Sequence, residues 1–306
     1  MEKELSNAIV RLRVIATLII VAYHCICPYL NFNWGGYLGD LISLNDTLRF
    51  VFINVLCYMM LPTFFMISGM LFYHRKQHYA DRKVIFWRKF DRLMVPYALV
   101  FMLCSFLDFP RIGIASCYGH LWFVQDLFLY FCIALLAYNV RECWLVLFAF
   151  GCFILWCMQA HLGITLEGEI GRLMQYGVFF FGGHYAAKYF DWIRQYNWFK
   201  WGVSVVWIIA LILHKQTISM LLFNVVLLAM VPTCPIESKV MLYLDKQSYR
   251  IYLLHHVVLF GLFVIPCFQS LYTHSAIGAT LLMFVSVIVL TIGMCQCLTK
   301  LNFKYF

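Results

Sequence analysis

Apolar residues recur along this chain in runs long enough to cross a lipid bilayer, and this pattern limits what the chain can fold into. A helical span needs roughly 20 apolar residues, because the hydrocarbon core is about 30 Å thick and each helical residue adds about 1.5 Å. The sequence therefore predicts an all-α, polytopic membrane protein with about ten transmembrane helices in a single membrane domain covering residues 1–306. The runs cover residues 9–30, 48–73, 94–110, 119–138, 143–161, 173–190, 198–214, 217–235, 248–268 and 275–299.

The composition excludes a water-soluble globule. Hydrophobic residues make up 64% of the chain and charged residues only 12%, whereas a soluble domain is about half apolar and about one-quarter charged. The 13 cysteines are scattered through the apolar runs without the spacing of a zinc site, so we interpret them as small apolar residues and expect no bound metal. In such a protein the net charge of +9 indicates membrane orientation, and we expect no nucleic-acid partner.

The positions of the positive charges predict the orientation. Lys and Arg are retained on the cytoplasmic side of membrane proteins. With a cytoplasmic N-terminus, all but four of the 23 Lys and Arg residues fall in inside segments, and an even number of spans places both termini in the cytoplasm. The longest inside segment, residues 74–93, is predicted to be a basic loop. The four exceptions are Arg49, Arg111, Arg172 and Lys215.

The first apolar run contains two ionisable residues, Arg13 and His24. On a helix their eleven-residue separation is about 20° from three whole turns, so both side chains point the same way, about 16 Å apart along the axis. Ionisable groups inside a membrane are costly and usually face a polar cavity, which favours a functional pair. In the alternative, Arg13 marks the inner end of the helix and His24 only hydrogen-bonds a neighbouring helix.

Five segments, taken in order, resemble the membrane-bound acyltransferase-3 family. RVIATLIIVAYH, residues 13–24, has the R-x10-H spacing of that family. The other four are FFMISGMLF at 64–72, RKFDRLMVPY at 88–97, HLWFV at 120–124 and SYRIYLLHH at 248–256. One departure is that Lys89 stands at the first position of the family's R-x-x-R motif, next to Arg88. The resemblance implies a cell-membrane enzyme of the inner membrane that moves an acyl group, most simply acetyl, from acyl-CoA to a hydroxyl of a sugar or polysaccharide precursor.

The resemblance gives candidate roles to the ionisable residues. Transfer to an alcohol requires removal of the hydroxyl proton, and histidine suits this task near neutral pH, so His24 is the candidate base or transient acyl carrier. Acyl-CoA is then a co-substrate, and its phosphates would be bound by Arg13, Arg88, Lys89 and Arg92. For the last three, the alternative is a topological role at anionic lipid headgroups.

Trp122 and Asp126 lie one helical turn apart in the fourth apolar run. Trp122 is a candidate for stacking on a sugar ring, or else a member of an interfacial aromatic belt. An unpaired carboxylate is costly in an apolar helix, so Asp126 should pair with a polar partner. It is a candidate catalytic residue that orients His24, with a purely structural partner as the alternative.

Two further segments supply candidate substrate contacts. Ser68 precedes Gly69, which permits close helix packing, and we include Ser68 only as a substrate-binding candidate. His255 occupies the family's histidine position. His256 faces about 100° away on the same helix, so at most one of the two readily points into a given cavity, and we expect His256 to be a packing or interfacial residue.

Two other classes of function compete with the enzyme. A transporter or flippase for a lipid-linked sugar often has two related halves, but the basic segment after the second run has no counterpart later in the chain. A sensory or regulatory membrane domain is the third possibility.

Overall fold

A computed structural model of the chain describes residues 3–26, 58–76, 81–106, 119–159, 161–166, 168–213, 215–263, 265–274 and 276–301. Every regular element in these ranges is helical, which confirms the all-α prediction. A π-helical turn, Phe90–Met94, joins α3 to α4, and a 3-10 turn, Gly119–Leu121, precedes α5. The helices are α1 (Lys3–Ile26), α2 (Tyr58–Lys76), α3 (Arg82–Lys89), α4 (Val95–Phe106), α5 (Trp122–Leu136), α6 (Glu142–Met158), α7 (Gly168–Lys188), α8 (Phe190–Gln195), α9 (Asn197–Ile212), α10 (Gln216–Met230), α11 (Lys239–Phe263), α12 (Pro266–His274) and α13 (Ala276–Lys300).

Each predicted apolar run overlaps one of these helices. Among the described residues, three helical stretches are both long and apolar enough to cross a membrane: Lys3–Ile26, Gly119–Leu136 and Ile277–Lys300. Other apolar helices, such as Glu142–Met158, are shorter. The prediction that the apolar runs form helices is therefore confirmed. The count of about ten membrane spans and the cytoplasmic position of the termini stay predictions.

Two boundary predictions were wrong for a physical reason. α1 begins at Lys3 and α11 at Lys239, both well before the apolar runs at residues 9 and 248. Hydropathy marks the part of a helix that suits hydrocarbon, but Lys, Glu and Gln are good helix formers in water and extend it. The predicted basic loop at 74–93 is largely helical as well, because it contains α3 and the π turn.

The chain divides into two compact units. Unit 1 comprises Met1–Ala16, Tyr58–Trp87 and Asp126–Leu242. Unit 2 comprises Thr17–Cys57, Arg88–Gln125 and Tyr243–Phe306. Each unit is built from three separate stretches of chain, and the single domain expected from the sequence stays a prediction.

Unit 1 contains a backbone-to-backbone contact between α2 and α7. A Cβ atom added at Gly69 would lie 1.9 Å from the Phe180 carbonyl oxygen, and one added at Gly183 would lie 2.5 Å from the Met66 carbonyl oxygen. The prediction that Ser68-Gly69 permits close helix packing is therefore confirmed. Aromatic rings pack in the same unit, namely Phe65, Phe72, Tyr130, Phe131, Tyr176 and Phe180.

Two arginines of unit 1 bind the carbonyl oxygens where α10 ends. The last carbonyls of a helix lack intrahelical partners and need other donors. Arg194 donates hydrogen bonds to the carbonyls of Leu228, at 3.3 Å, and Val231. Arg11 donates to those of Pro232, at 3.1 Å, and Cys234, at 2.8 Å. These contacts assign Arg11 a structural role.

The core of unit 2 holds the last two turns of α1 beside α11 and α13. Its buried members include Val21 of α1, Ile251 and Leu259 of α11, and Met283 and Val287 of α13. His24 lies in the same turns of α1 as these core residues. The packing therefore fixes the height and rotation of α1 against the part of α11 that carries the SYRIYLLHH segment.

Candidate functional site

Four histidines of unit 2 lie in contact with one another. They come from three elements: His24 from α1, His120 from the 3-10 turn, and His255 and His256 from α11. The ring centroids of His24 lie 5.0 Å from those of His255 and 4.3 Å from those of His256. The rings of His120 and His256 are stacked at 3.9 Å. We call this group the histidine cluster.

His255 joins the α11 backbone to His24 through hydrogen bonds at both ring nitrogens. Its Nδ1 lies 2.6 Å from the carbonyl oxygen of Tyr252 and 3.1 Å from that of Ile251. Its Nε2 lies 3.1 Å from Nδ1 of His24. The two 3.1 Å separations are those of ordinary hydrogen bonds, and the one to Tyr252 is shorter. The imidazole of His24 is therefore held through His255 by the main chain of α11.

His120 is tied to the same stretch of α11. The Tyr252 hydroxyl donates a hydrogen bond to the His120 carbonyl oxygen. The Nε2 of His120 lies 3.3 Å from the Leu253 carbonyl oxygen, within hydrogen-bonding distance. The 3-10 turn that opens the HLWFV segment is thereby fixed against α11.

The members of the histidine cluster differ in their exposure. His255 is fully buried, and His120 and His256 are 5% and 4% exposed. His24 is only half-buried. His24 is consequently the member that a substrate reaches most readily, while the other three form its surroundings.

The cluster also has donor atoms at a spacing that can hold a metal ion. One ring nitrogen from each of His24, His255 and His256 lies within 4.8 Å of the others. However, two nitrogens bound to tetrahedral zinc are about 3.3 Å apart, and the 3.1 Å between His24 and His255 is shorter than that. Their spacing is that of a hydrogen bond, so we assign the pair to hydrogen bonding.

The basic candidates Arg88, Lys89 and Arg92 also belong to unit 2. Arg88 and Arg92 are exposed, and Lys89 is half-buried. The π turn lies at this point because Pro96 has no N–H to continue the ladder and its ring conflicts with a carbonyl in the preceding turn. Such π turns are frequent at functional sites.

Tyr249 connects the π turn to α11. Its hydroxyl donates a hydrogen bond of 2.9 Å to the Leu93 carbonyl oxygen. Tyr249 belongs to the SYRIYLLHH segment and Leu93 to the RKFDRLMVPY segment. Four of the five segments that resemble the acyltransferase-3 family thus contribute residues to unit 2, and three of them meet in the histidine cluster.

A family model described as an acyltransferase domain matches residues 7–300 of the chain. The chain belongs to the acyltransferase-3 family. The resemblance stated from the five segments is thereby confirmed, and the protein is an acyltransferase whose apolar helices make it a membrane protein. No curated protein and no solved structure matches the chain.

The remaining predicted residues are distributed between the units. Arg13 is half-buried on α1 and lies in unit 1, as does half-buried Ser68 on α2. Trp122 is half-buried at the start of α5 in unit 2, two residues after His120. The catalytic role of Arg13 and the substrate-binding roles of Ser68 and Trp122 stay predictions.

Asp126 has a polar partner, as expected for a buried carboxylate. Its side chain is fully buried, and its Oδ2 accepts a hydrogen bond of 3.3 Å from Nε of Arg172. The side chain that hydrogen-bonds Nδ1 of His24 is that of His255, and the Ile20 backbone also hydrogen-bonds the His24 ring. Of the two alternatives left open by the sequence, the structure favours the structural partner, and a catalytic role for Asp126 stays a prediction.

Sequence reasoning missed two members of the histidine cluster. It expected at most one of the two α11 histidines to point into a given cavity and His256 to be a packing or interfacial residue. His256 is buried and packed, but its ring packs against His24 together with that of His255, and the two α11 rings are only 4.7 Å apart. The sequence assigned no role to His120; the available signal was a histidine directly before the apolar residues of the HLWFV segment.

A separate cavity of about 580 Å³ lies within unit 1. Its walls are largely apolar and aromatic, including Phe179, Tyr185 and Trp192. Its polar member Asn224 is already engaged, since Thr63 donates to its side-chain oxygen at 2.9 Å. None of the predicted site residues lines this cavity.

Proposed function

We propose that this protein is a multi-pass inner-membrane O-acyltransferase. It moves an acyl group, most simply acetyl, from cytoplasmic acyl-CoA to a hydroxyl of a sugar-containing acceptor. The observation that carries the proposal is the position of His24: a half-buried residue whose imidazole is held by His255 in a cluster built from three family segments. A histidine supported in this way suits proton transfer or acyl transfer.

The reaction can be written around one unprotonated ring nitrogen of His24. In the direct route, this nitrogen takes the acceptor's hydroxyl proton while the oxygen attacks the thioester carbonyl carbon. The C–S bond breaks, and the coenzyme leaves as a thiol after receiving the proton back from the imidazolium. In the alternative route, the nitrogen attacks the thioester carbonyl carbon first, the C–S bond breaks, and the coenzyme leaves as a thiolate. The acceptor oxygen then attacks the acyl-imidazolium, the C–N bond breaks, and the hydroxyl proton passes to the thiolate.

The basic residues would hold the coenzyme. Arg88 and Arg92 are exposed and belong to the same unit as His24. Arginine binds phosphate through two parallel hydrogen bonds, whereas Lys89 supplies a point charge. Arg13 lies on the same unbroken helix as His24, about 16 Å from it along the axis. Arg13 stays a candidate for binding a phosphate of the coenzyme.

Trp122 is the candidate of unit 2 for binding the acceptor. It offers an aromatic face for a sugar ring, and it follows His120 of the histidine cluster by two residues. Ser68 of unit 1 and His255 of unit 2 also stay substrate-binding candidates, although His255 is fully buried with both ring nitrogens hydrogen-bonded. Asp126 stays in the candidate catalytic set beside its Arg172 partner. The lipid bilayer is the third partner of the protein.

An assay with purified protein in liposomes tests this proposal. Radiolabelled acetyl-CoA and candidate glycans are supplied, and label in the glycan is measured for the wild type, His24→Ala and Arg13→Ala. We expect transfer by the wild type, loss of turnover in His24→Ala and a raised KM for acetyl-CoA in Arg13→Ala. Movement of glycan across the bilayer without consumption of acetyl-CoA would instead support a transporter.

A further inference from the structure

The hydrogen bonds of His255 fix which of its nitrogens carries the proton. Its Nδ1 faces two backbone carbonyl oxygens, those of Tyr252 at 2.6 Å and Ile251 at 3.1 Å. Carbonyl oxygens only accept hydrogen bonds, so Nδ1 must be the donor. In the neutral ring the proton is therefore on Nδ1, and Nε2 carries a lone pair.

The hydrogen bond between the two rings also fixes which nitrogen of His24 carries the proton. Nε2 of His255 lies 3.1 Å from Nδ1 of His24. Because Nε2 of neutral His255 can only accept, Nδ1 of His24 must donate and must carry the proton of that ring. The lone pair of neutral His24 is then on Nε2, the ring nitrogen turned away from His255.

We propose that His255 is a positioning residue that holds His24 in the Nδ1–H tautomer and thereby makes Nε2 of His24 the reacting atom. This inference rests on the proposed function, because it names the atom of His24 that takes the hydroxyl proton or the acyl group. His255 itself does not exchange a proton, since its own Nδ1–H is held by the α11 backbone.

A neutral positioning partner suits the surroundings of His24. When Nε2 takes a proton, the ring becomes an imidazolium whose Nδ1–H still donates to His255, and a hydrogen bond from a charged donor is stronger than a neutral one. A carboxylate in this place would add a buried negative charge with a large desolvation cost. A fully buried, backbone-anchored histidine avoids that cost and still accepts the hydrogen bond.

Neighbouring contacts hold in place the hydrogen bonds that run from the α11 backbone through His255 to His24. The Tyr252 hydroxyl and the Nε2 of His120 tie the 3-10 turn to α11 on either side of the backbone that anchors His255. The ring of His256 is stacked on His120 and lies edge-on to His24. These rings limit rotation of the His24 side chain away from His255.

Two amide substitutions at His255 separate positioning from packing. The amide oxygen of Gln reaches about as far as imidazole Nε2, whereas the shorter Asn reaches only about as far as Nδ1. We expect His255→Asn to lower kcat by about 10²-fold with the KM for acyl-CoA little changed. We expect His255→Gln to recover about tenfold of that loss, the value of one restored hydrogen bond. His161→Ala, at an exposed histidine, is the control and should keep wild-type kinetics.

A spectroscopic measurement reports the tautomer without relying on activity. Protein labelled with ¹⁵N-histidine is placed in liposomes, and the His24 signals are identified by their loss in His24→Ala. We expect a protonated Nδ1 and an unprotonated Nε2 in the wild type and in His255→Gln, and a mixture of tautomers in His255→Asn. The His24 signals also show whether His255→Asn is folded.

The outcomes separate this inference from the proposed function. An Nδ1–H tautomer in a protein that transfers no acyl group would contradict the function and leave the positioning intact. Acyl transfer with equal kcat and equal tautomers in the Gln and Asn variants would overturn the positioning role alone. Stoichiometric zinc in the purified protein, lost in His255→Asn, would also overturn it, because the pair would then be joined by metal.

Discussion

Exposure and hydrogen bonding, rather than residue type, distinguish His24 from the three other histidines around it. His120, His255 and His256 are buried within the protein, while His24 is half-buried. A buried histidine satisfied by backbone carbonyls is well placed to orient a neighbour, and an accessible one to meet a substrate. The four identical side chains therefore take two different parts in the proposed chemistry.

The arginines just before and within the π turn should control coenzyme affinity. We expect Arg88→Ala and Arg92→Ala each to raise the KM for acetyl-CoA about tenfold, the value of a lost charge-assisted hydrogen bond, with kcat unchanged. Initial rates over a range of acetyl-CoA concentrations measure this. Lys83→Ala, an exposed cation on the same helix, is the matched control. An unchanged KM in both arginine variants would return these residues to a purely topological role.

For single residues, the sequence identifies the side chains that stand out chemically, but it does not show which side chains contact them in the folded protein. Arg13 and His24 stand out because they are ionisable groups in an apolar run, and His255 because its segment resembles the family. His120 and His256 joined the cluster only through the packing of α11 and the 3-10 turn. Spacing along one helix cannot give the register between two helices, so these contacts required the structure.

At the scale of elements, the approach of α2 and α7 depends on glycine. The Cβ that a substitution adds at Gly183 would lie 2.5 Å from the Met66 carbonyl oxygen and 2.7 Å from the Met70 nitrogen. Backbone atoms cannot move aside cheaply, so the two helices would have to separate. The neighbouring Gly182 has open space around it, with nothing within 4 Å of an added Cβ.

This pair of glycines makes a matched prediction about stability. We expect Gly183→Ala to lower the free energy of unfolding by about 1–3 kcal/mol, the usual cost of overpacking. Gly182→Ala should be neutral or stabilising by up to about 1 kcal/mol, since alanine is the better helix former. Thermal unfolding in detergent compares the two, and equal melting temperatures would show that α2 and α7 are not in backbone contact.

The π turn is the second element whose geometry can be tested. Tyr249→Phe removes the donor to the Leu93 carbonyl oxygen, which should cost about 1 kcal/mol of stability. Because Arg92 lies within this turn and Arg88 two residues before it, we also expect a few-fold rise in the KM for acetyl-CoA, as about 1 kcal/mol implies. Tyr243→Phe is the control, since its hydroxyl makes no hydrogen bond within the described residues. A variant with wild-type melting temperature and KM would contradict this role of Tyr249.

The sequence predicted the helices better than their ends. Every apolar run overlaps a helix because membrane and core helices share a strong hydrophobic signal, and Ser68-Gly69 indicated a close helix contact. α3 was missed because it lies in a basic segment. The extensions of α1 to Lys3 and of α11 to Lys239 were missed because charged residues carry no hydropathy signal yet favour helix. The π turn depends on Pro96 and on its tertiary contact with Tyr249, and only the first of these is visible in the sequence.

At the scale of the whole molecule, charge distribution predicts the orientation. Most of the 23 Lys and Arg residues fall on one side when both termini are cytoplasmic. We therefore expect a periplasmic phosphatase reporter fused to the C-terminus to be inactive and a cytoplasmic fluorescent reporter to be bright. An active phosphatase at the C-terminus would show an odd number of spans and contradict the predicted topology.

The central claim is that an acyltransferase of this family uses the accessible imidazole of His24 to move an acyl group off the coenzyme. The direct measurement is the rate of free CoA thiol release by the protein in liposomes, with acetyl-CoA and a glycan acceptor, for wild type, His24→Ala and His161→Ala. The account predicts acceptor-dependent release by the wild type and by His161→Ala, and a fall of about 10²-fold or more in His24→Ala. Equal release by His24→Ala and the wild type would contradict it.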